Sequence, residues 1–112
     1  MIPAAKFPRL PIVLAHCGGE IFAREAMVAA LFCPNIYLEL SSLMPHTVLE
    51  ILSRIPAQRL MIGSDLPENL ETEMAKILNL EAGGDVRAEI LWNTARRLFD
   101  RVEKSRAVSG LG

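Results

Sequence analysis

Three short apolar runs recur along this chain at a spacing of about 25 residues, close to the length of one strand-plus-helix unit. The runs are Leu10–Ala15, Ile36–Leu40 and Leu60–Ile62. Each is followed by a longer stretch whose apolar residues have helical spacing. Alternating strands and helices predict an α/β fold with a parallel sheet and right-handed crossovers. The predicted strands lie near residues 10–16, 35–41 and 59–64.

The stretches between and after these runs predict helices. They cover residues 21–32, 45–55 and 70–80, and a longer helix starts near residue 85. Pro34 and Pro56 end the first two helices, and Gly83-Gly84 ends the third. Asp85 is expected to cap the last one. The inner stripe of that last helix is predicted to be Ile90, Leu91, Ala95, Leu98 and Val102.

Two of the predicted strands end in residues of a metal-ligand type. The first runs into His16-Cys17-Gly18-Gly19, and the third is followed by Gly63-Ser64-Asp65-Leu66-Pro67. The carboxyl ends of parallel strands meet at one edge of a sheet, so His16 and Asp65 are expected to share that edge. From the residues alone, a core histidine and a turn or helix-capping aspartate are also open interpretations.

The middle strand alternates between apolar and polar residues. Its apolar face is Ile36, Leu38 and Leu40, and its polar face is Tyr37, Glu39 and Ser41. The apolar face is predicted to pack under the helices. The polar face is predicted to lie beside Ile12, Leu14 and Met61. A buried parallel strand is normally apolar on both faces, so Glu39 indicates a polar cavity near the strand ends. A Glu39 satisfied by a neighbouring cation, or left in water at an open edge, is equally open.

Composition narrows the class of protein. The chain has 112 residues, 12 basic and 13 acidic side chains and no long basic run, which argues against a nucleic-acid module. No apolar run reaches the roughly 18 residues of a membrane span. Cys17 and Cys33 are not a close-spaced pair and are interpreted as small buried side chains of a reduced, cytoplasmic protein. The hydrophobic content of 51% is high for a free-standing domain of this size.

Four segments in order carry a resemblance to a known family. They are residues 7–19, 34–41, 59–67 and 90–99. Together they resemble the C-terminal part of the amidohydrolase-related family. Its members are metal-dependent TIM-barrel hydrolases and decarboxylases, including the amino-carboxymuconate-semialdehyde decarboxylase group. The order matches the sixth, seventh and eighth strands and the closing helix of that family. The implied fold is a partial (β/α)8 barrel of about three parallel βα units plus a C-terminal helix.

The resemblance also implies site residues and a cofactor. His16 matches the active-site histidine at the end of the sixth strand, a metal-proximal acid/base or polarising group. Asp65 matches the aspartate of the eighth strand, which binds or neighbours the metal and can activate its water. Both are therefore expected catalytic residues and metal ligands, and Glu39 and Ser41 are expected on the substrate side. In the intact enzyme the metal would be a divalent ion, with zinc favoured, and the substrate a small molecule.

The chain also departs from the family pattern. The family's first strand ends in a His-x-His pair and a middle strand adds another histidine, whereas this chain has only His16 and His46. His46 follows Pro45 at a helix start and is interpreted as a surface residue. Metal hydrolysis normally uses three protein ligands, and a full barrel needs about 200 residues or more. We therefore expect residues 1–104 to be the C-terminal part of such a barrel, followed by a flexible tail at 105–112.

Two functions remain open on the sequence. The first is the C-terminal portion of a metal-dependent hydrolase or decarboxylase, inactive as an isolated chain. The second is a non-catalytic module that associates with itself, or with a partner that supplies the missing strands. An anion site at Gly18-Gly19 is a weaker third possibility. The third strand has no proline or inward lysine to protect its edge, so a homo-oligomer is expected.

Overall fold

The fold is known from a computed structural model, which describes residues 2–100. Three parallel strands form one sheet in the order β1-β2-β3, as predicted. The strands are β1 (Ile12–Leu14), β2 (Ile36–Glu39) and β3 (Leu60–Met61). The helices are α1 (Ile2–Lys6), α2 (Gly19–Phe32), α3 (Pro45–Leu52), α4 (Leu70–Leu78) and α5 (Gly84–Ala88). The α/β class is confirmed: the described residues form a three-stranded parallel sheet with helices between the strands.

The register shows which residues share each face of the sheet. Ile12 lies beside Ile36 and Leu14 beside Leu38, so these β1 residues belong to the apolar face. The prediction that Ile12 and Leu14 lie beside the polar set was therefore wrong. Val13 pairs with Tyr37 and is the β1 residue on that face. The prediction for Met61 was correct, because it pairs with Glu39. A one-residue error in strand phase moves every side chain to the opposite face.

The apolar face of the sheet forms the core together with the helices. Its central residues are at most 1% exposed, namely Ile36, Leu38, Leu40 and Leu60. Helix α2 packs on β2 through small residues, of which Ala26 and Ala30 are buried. Alanines on a helix allow it to lie close to the sheet, so α2 covers the strands tightly. Val48 and Ile51 of α3 complete this layer, which confirms the predicted packing of the β2 apolar face.

The last helix differs from its prediction at its start and in its interior. Gly83, not Asp85, is the N-cap residue, and Asp85 lies inside the first turn without capping the helix through its side chain. The helix widens into a π-helical segment at Glu89–Asn93 and then continues as an α-helix over 94–100. Ile90 and Leu98 of the predicted inner stripe are buried. Val102 and the predicted tail lie outside the described residues.

The π-helical segment covers the outer edge of β3. Met61 accepts a backbone hydrogen bond from Leu40, the residue after β2, so the next residue, Ile62, points its N–H away from β2. That N–H donates to the Ile90 carbonyl at 3.0 Å. The Thr94 hydroxyl, itself buried, donates to the Ala57 carbonyl at 2.9 Å. The third strand has no proline or lysine at its edge, but the final helix lies against that edge and accepts the outward N–H of Ile62.

The opposite edge of the sheet, along β1, is open within residues 2–100. Ile12 donates to Asn35 on the β2 side, so the backbone of Val13 faces outward, and its side chain is 41% exposed. A groove of about 400 Å³ runs beside this edge, between β1 and α2, with Phe22 and Ala26 in its lining. The sheet therefore has one covered edge and one open edge.

Two side chains hold the other end of the sheet together, where the strands begin. The Arg59 guanidinium donates to the carbonyls of Ala30, Cys33 and Ile36, joining the end of α2 to β2 and β3. Burial lowers the pKa of Arg59 from its ordinary value. The Asn35 amide donates to the carbonyls of Ala4, Phe7 and Leu10 and so fixes the segment that leads into β1. No helix in residues 2–100 combines the length and apolar character needed to cross a membrane.

Candidate functional site

The carboxyl ends of the three strands bring the predicted site residues to one edge of the sheet. His16 lies in the short 3-10 turn Ala15–Gly18 directly after β1. Glu39 is the last residue of β2, and Asp65 follows β3 by four positions. Because the strands are parallel and adjacent in sequence order, these residues follow neighbouring strand ends.

The backbone at these strand ends takes an unusual conformation. Among residues 2–100, four non-glycine residues have positive φ: His16 at 43°, Cys17 at 49°, Ser42 at 66° and Asp65 at 65°. Each of these residues follows a strand end. The left-handed region is uncommon for residues with a side chain and costs of the order of 1 kcal/mol or more. Such conformations persist when surrounding contacts fix them, and they concentrate at functional sites.

Glu39 provides the contacts that connect the strand ends. Its Oε1 accepts the backbone N–H of His16 at 3.0 Å and the Ser41 hydroxyl at 2.8 Å. Its Oε2 accepts the backbone N–H of Ser41. On the β3 side the carboxylate packs on Gly63, where a Cβ would lie 2.6 Å from Oε2. A single carboxylate therefore touches the ends of all three strands.

Glu39 and Ser41, the predicted substrate-side residues, are brought together by the structure. Ser41 is fully buried and donates both its N–H and its hydroxyl to Glu39. Both carboxylate oxygens of Glu39 accept hydrogen bonds from the chain itself. The sequence left open a polar cavity at Glu39, or a Glu39 that a neighbouring cation satisfies or that stays in water. In the part of the chain that the structure describes, the hydrogen bonds to this carboxylate come from backbone and hydroxyl donors and from neither a cation nor water.

A second buried network lies behind the end of β2 and was missed by the sequence analysis. The Lys76 ammonium donates to the carbonyls of Leu40 and Leu43 at 2.8 and 3.0 Å. It also pairs with Glu73 at 2.5 Å, and the two side chains are only 8% and 10% exposed. Glu73 in turn accepts the N–H of Ser42, one of the residues with positive φ. The i,i+3 spacing on α4 was a signal for the pair, but not for its burial against β2.

Glu20 fixes the entry to α3 near the same edge. Its carboxylate accepts the N–H of Met44 at 3.1 Å and the hydroxyl of Thr47. The hydrogen bond from Thr47 is the largest influence on Glu20 and lowers its pKa. Burial opposes this, and the hydrogen bond from Met44 lowers the pKa further. The neighbouring His46 is exposed, which confirms its interpretation as a surface residue.

Cys17 sits beneath His16 as an inert thiol. Its side chain is fully buried and donates to the carbonyl of Glu39 at 3.3 Å. Burial, and next the nearby Glu39 carboxylate, raise its pKa from 9.0 to about 12, with a smaller opposite effect of Lys76. A thiol in this state is a poor nucleophile and a poor metal ligand. Cys17 and Cys33 are both free and buried, as predicted.

The two candidate metal ligands differ in exposure. The His16 side chain is half-buried and the Asp65 side chain is exposed. Within residues 2–100 no group of three or more His, Cys, Asp or Glu side chains is arranged to hold a metal ion. A catalytic zinc normally takes three protein ligands, so the described residues do not form such a centre by themselves.

Comparison with known protein families identifies a related family. The family model described as amidohydrolase matches residues 4–101, which include the three strands, helices α2 to α5 and most of α1. No curated protein matches the chain, and no solved structure matches it.

Proposed function

The chain belongs to the amidohydrolase family, and from that premise we propose that it is the C-terminal portion of a metal-dependent hydrolase or decarboxylase, inactive on its own. The observation that carries the proposal is the edge formed by the three strand ends, where His16 and Asp65 follow β1 and β3. A small-molecule substrate would bind at this edge, since parallel α/β folds bind ligands at the carboxyl ends of their strands.

In this proposal His16 and Asp65 act as proton-handling groups. Imidazole exchanges a proton near neutral pH, so His16 suits the role of an acid/base or polarising group. The Asp65 carboxylate is exposed at the strand end, where it would be able to accept the proton of a metal-activated water in the intact enzyme. Glu39 and Ser41 remain proposed substrate-side residues, although their hydrogen bonds within the chain give them a structural task as well.

The family is generally metal-dependent, and the residues of this chain account for only part of a metal centre. His16 and Asp65 are two candidate ligands, and no third side chain joins them within the described residues. Two protein ligands leave most of the coordination of a divalent ion to water, so the isolated chain is expected to bind zinc weakly. The proposal therefore assigns the missing ligands to protein outside residues 2–100.

A second function is favoured by the open edge of β1. The exposed Val13 and the groove beside it can accept another strand, which fits a module that associates with itself or with a partner supplying further strands. Such a module would have no activity of its own. We propose a cytoplasmic location and no nucleic-acid or membrane partner for either function, in keeping with the reduced cysteines and the nearly balanced charge.

The two functions are separated by the behaviour of a longer protein that carries the same four segments and a His-x-His strand. There, His16→Ala and Asp65→Ala at the matching positions are expected to lower turnover by about 100-fold or more, the usual contribution of a positioned acid or base. His46→Ala, on the exposed helix start, is the control and is expected to keep turnover.

The isolated chain gives the complementary result in a zinc titration by calorimetry. Weak binding, unchanged by His16→Ala, is expected from a partial ligand set. Tight stoichiometric zinc binding that is lost in His16→Ala or Asp65→Ala would show that the chain is a metal protein by itself. That result would overturn the proposal of an inactive portion.

A further inference from the structure

Glu39 has more contacts at the strand ends than a substrate-side residue needs. Its carboxylate accepts three hydrogen bonds, from the His16 N–H, the Ser41 N–H and the Ser41 hydroxyl. The bond from His16 joins residues 23 positions apart in the chain. This hydrogen bond also connects the end of β2 with the turn that follows β1.

The His16 turn needs an external restraint. His16 and the next residue, Cys17, both have positive φ, and two consecutive left-handed residues with side chains are unfavourable. The Glu39 carboxylate holds the N–H of His16, and the Glu39 carbonyl accepts the Cys17 thiol at 3.3 Å. One residue of β2 thus holds both left-handed residues, by its side chain and by its backbone.

Gly63 determines where that carboxylate can lie. A Cβ at this position would approach Oε2 of Glu39 to 2.6 Å and its carboxyl carbon to 2.7 Å. The far end of a flexible side chain could move away from such a contact. Here movement would break the bonds to His16 and Ser41. The absence of a side chain at Gly63 therefore allows the carboxylate to face β1.

We infer that Glu39 is a positioning residue: seated on Gly63, it holds the left-handed turn that presents His16 at the edge shared with Asp65. The inference rests on the proposed function in so far as it treats that edge as the active site. The hydrogen bonds of Glu39 do not depend on any activity. Glu39 acts through the backbone of His16. Ser41 supports the carboxylate from its other side, which explains why a serine is completely buried at the end of β2.

The test uses the isolated chain and follows the His16 amide by NMR. Replacing Glu39 with Ala removes a charge-assisted hydrogen bond, so hydrogen-exchange protection of this amide is expected to fall about tenfold or more. Gly63→Ala is expected to produce the same loss, because it pushes the carboxylate away from β1. In the Glu39→Ala background, Gly63→Ala should have no further effect on this amide. Ser41→Ala is the matched control: it removes only the hydroxyl donor, while the backbone N–H of residue 41 still holds Oε2 and the His16 bond stays in place.

A second readout compares the two histidines within one molecule. The rate at which diethyl pyrocarbonate modifies His16, relative to the exposed His46, is expected to change several-fold in Glu39→Ala and Gly63→Ala and to stay constant in Ser41→Ala. Glu39→Gln is nearly isosteric and covers the case in which the alanine variant fails to fold. It should retain the fold and lose part of the amide protection.

Unchanged His16 protection and an unchanged ratio in folded Glu39→Ala or Glu39→Gln would overturn the inference, even if the melting temperature fell. That pattern would leave Glu39 as a stabilising residue only. The proposed function would be contradicted by a different result, namely unchanged turnover of the longer protein with His16→Ala or Asp65→Ala. The two failures are therefore distinguishable.

Discussion

Individual side chains at the strand ends act mainly by binding the backbone of other segments. Lys76 binds two carbonyls after β2, and Glu73 beside it binds the N–H of Ser42. Buried charged groups of this kind are costly unless each is paired and hydrogen-bonded, and here they are. Charged side chains thus fix the unusual backbone conformations at the carboxyl ends of the strands.

Cys17 gives a prediction for the pH dependence of stability. Its pKa is about 12 in the folded chain against 9.0 for an ordinary thiol, so the folded state holds the proton more tightly. The stability from this group is fully present below pH 9 and is lost as the pH rises toward 12. Between pH 8 and 10.5 we expect the free energy of unfolding to fall by about 2 kcal/mol more in the parent chain than in Cys17→Ala.

Urea denaturation at the two pH values measures this difference. Cys33→Ala keeps Cys17 and is the control, so it should lose stability with pH as the parent chain does. An equal loss in Cys17→Ala and in the parent would mean that the buried thiol is not the group responsible.

Elements of the fold are joined by a few polar residues at the end of the sheet opposite the site. Arg59, before β3, binds carbonyls at the end of α2 and the start of β2. Its planar guanidinium has several fixed donors, which suits it to bind more than one carbonyl at once. The π-helical segment acts similarly at β3, where Ile90 offers its carbonyl to Ile62. π-helical turns of this type often mark functional positions, and here the turn closes a sheet edge.

Arg59→Met is expected to destabilise the chain by about 3 kcal/mol, because it leaves partly buried carbonyls without their charged donor. Arg59→Lys should recover only part of this, since an ammonium lacks the planar fork of donors. The exposed Arg54, on the neighbouring turn, supplies the matched control Arg54→Met. Thermal and urea unfolding of the three variants provide the measurement, and a change within about 0.5 kcal/mol for Arg59→Met would contradict the role of Arg59.

The whole molecule leaves apolar side chains exposed on several surfaces. On α2, Ile21 is 85% and Phe32 is 73% exposed, and the last helix exposes Trp92 and Phe99. Exposed apolar side chains become a signal of binding when they group into a large patch. In a complete barrel the flanks of this sheet would be covered by neighbouring units, so the exposure agrees with a partial fold.

We predict that the purified chain is dimeric or larger, or prone to aggregate, at micromolar concentration, because the β1 edge is open. Val13→Lys puts a charge on that edge and is expected to shift the sedimentation profile toward the monomer. Leu78→Lys, at an exposed position on α4 away from β1, is the control and should have little effect. A single 12.4 kDa species with a sharp cooperative melt would count against the partial-barrel interpretation.

The sequence alone determined the α/β class, the three parallel strands and their order, because strand and helix periodicities are local and the crossover rules leave few topologies. It also placed His16, Glu39 and Asp65 at one edge. It did not determine the phase of β1, the cover that the final helix gives to β3, or the buried Glu73–Lys76 pair. Each of these depends on which segments meet in space, and local patterns carry little information about that. The role of Glu39 belongs to the same class, since it depends on the space left at Gly63 and on an N–H 23 residues away. Only the tertiary structure shows that Gly63 and the His16 N–H lie on either side of the same carboxylate.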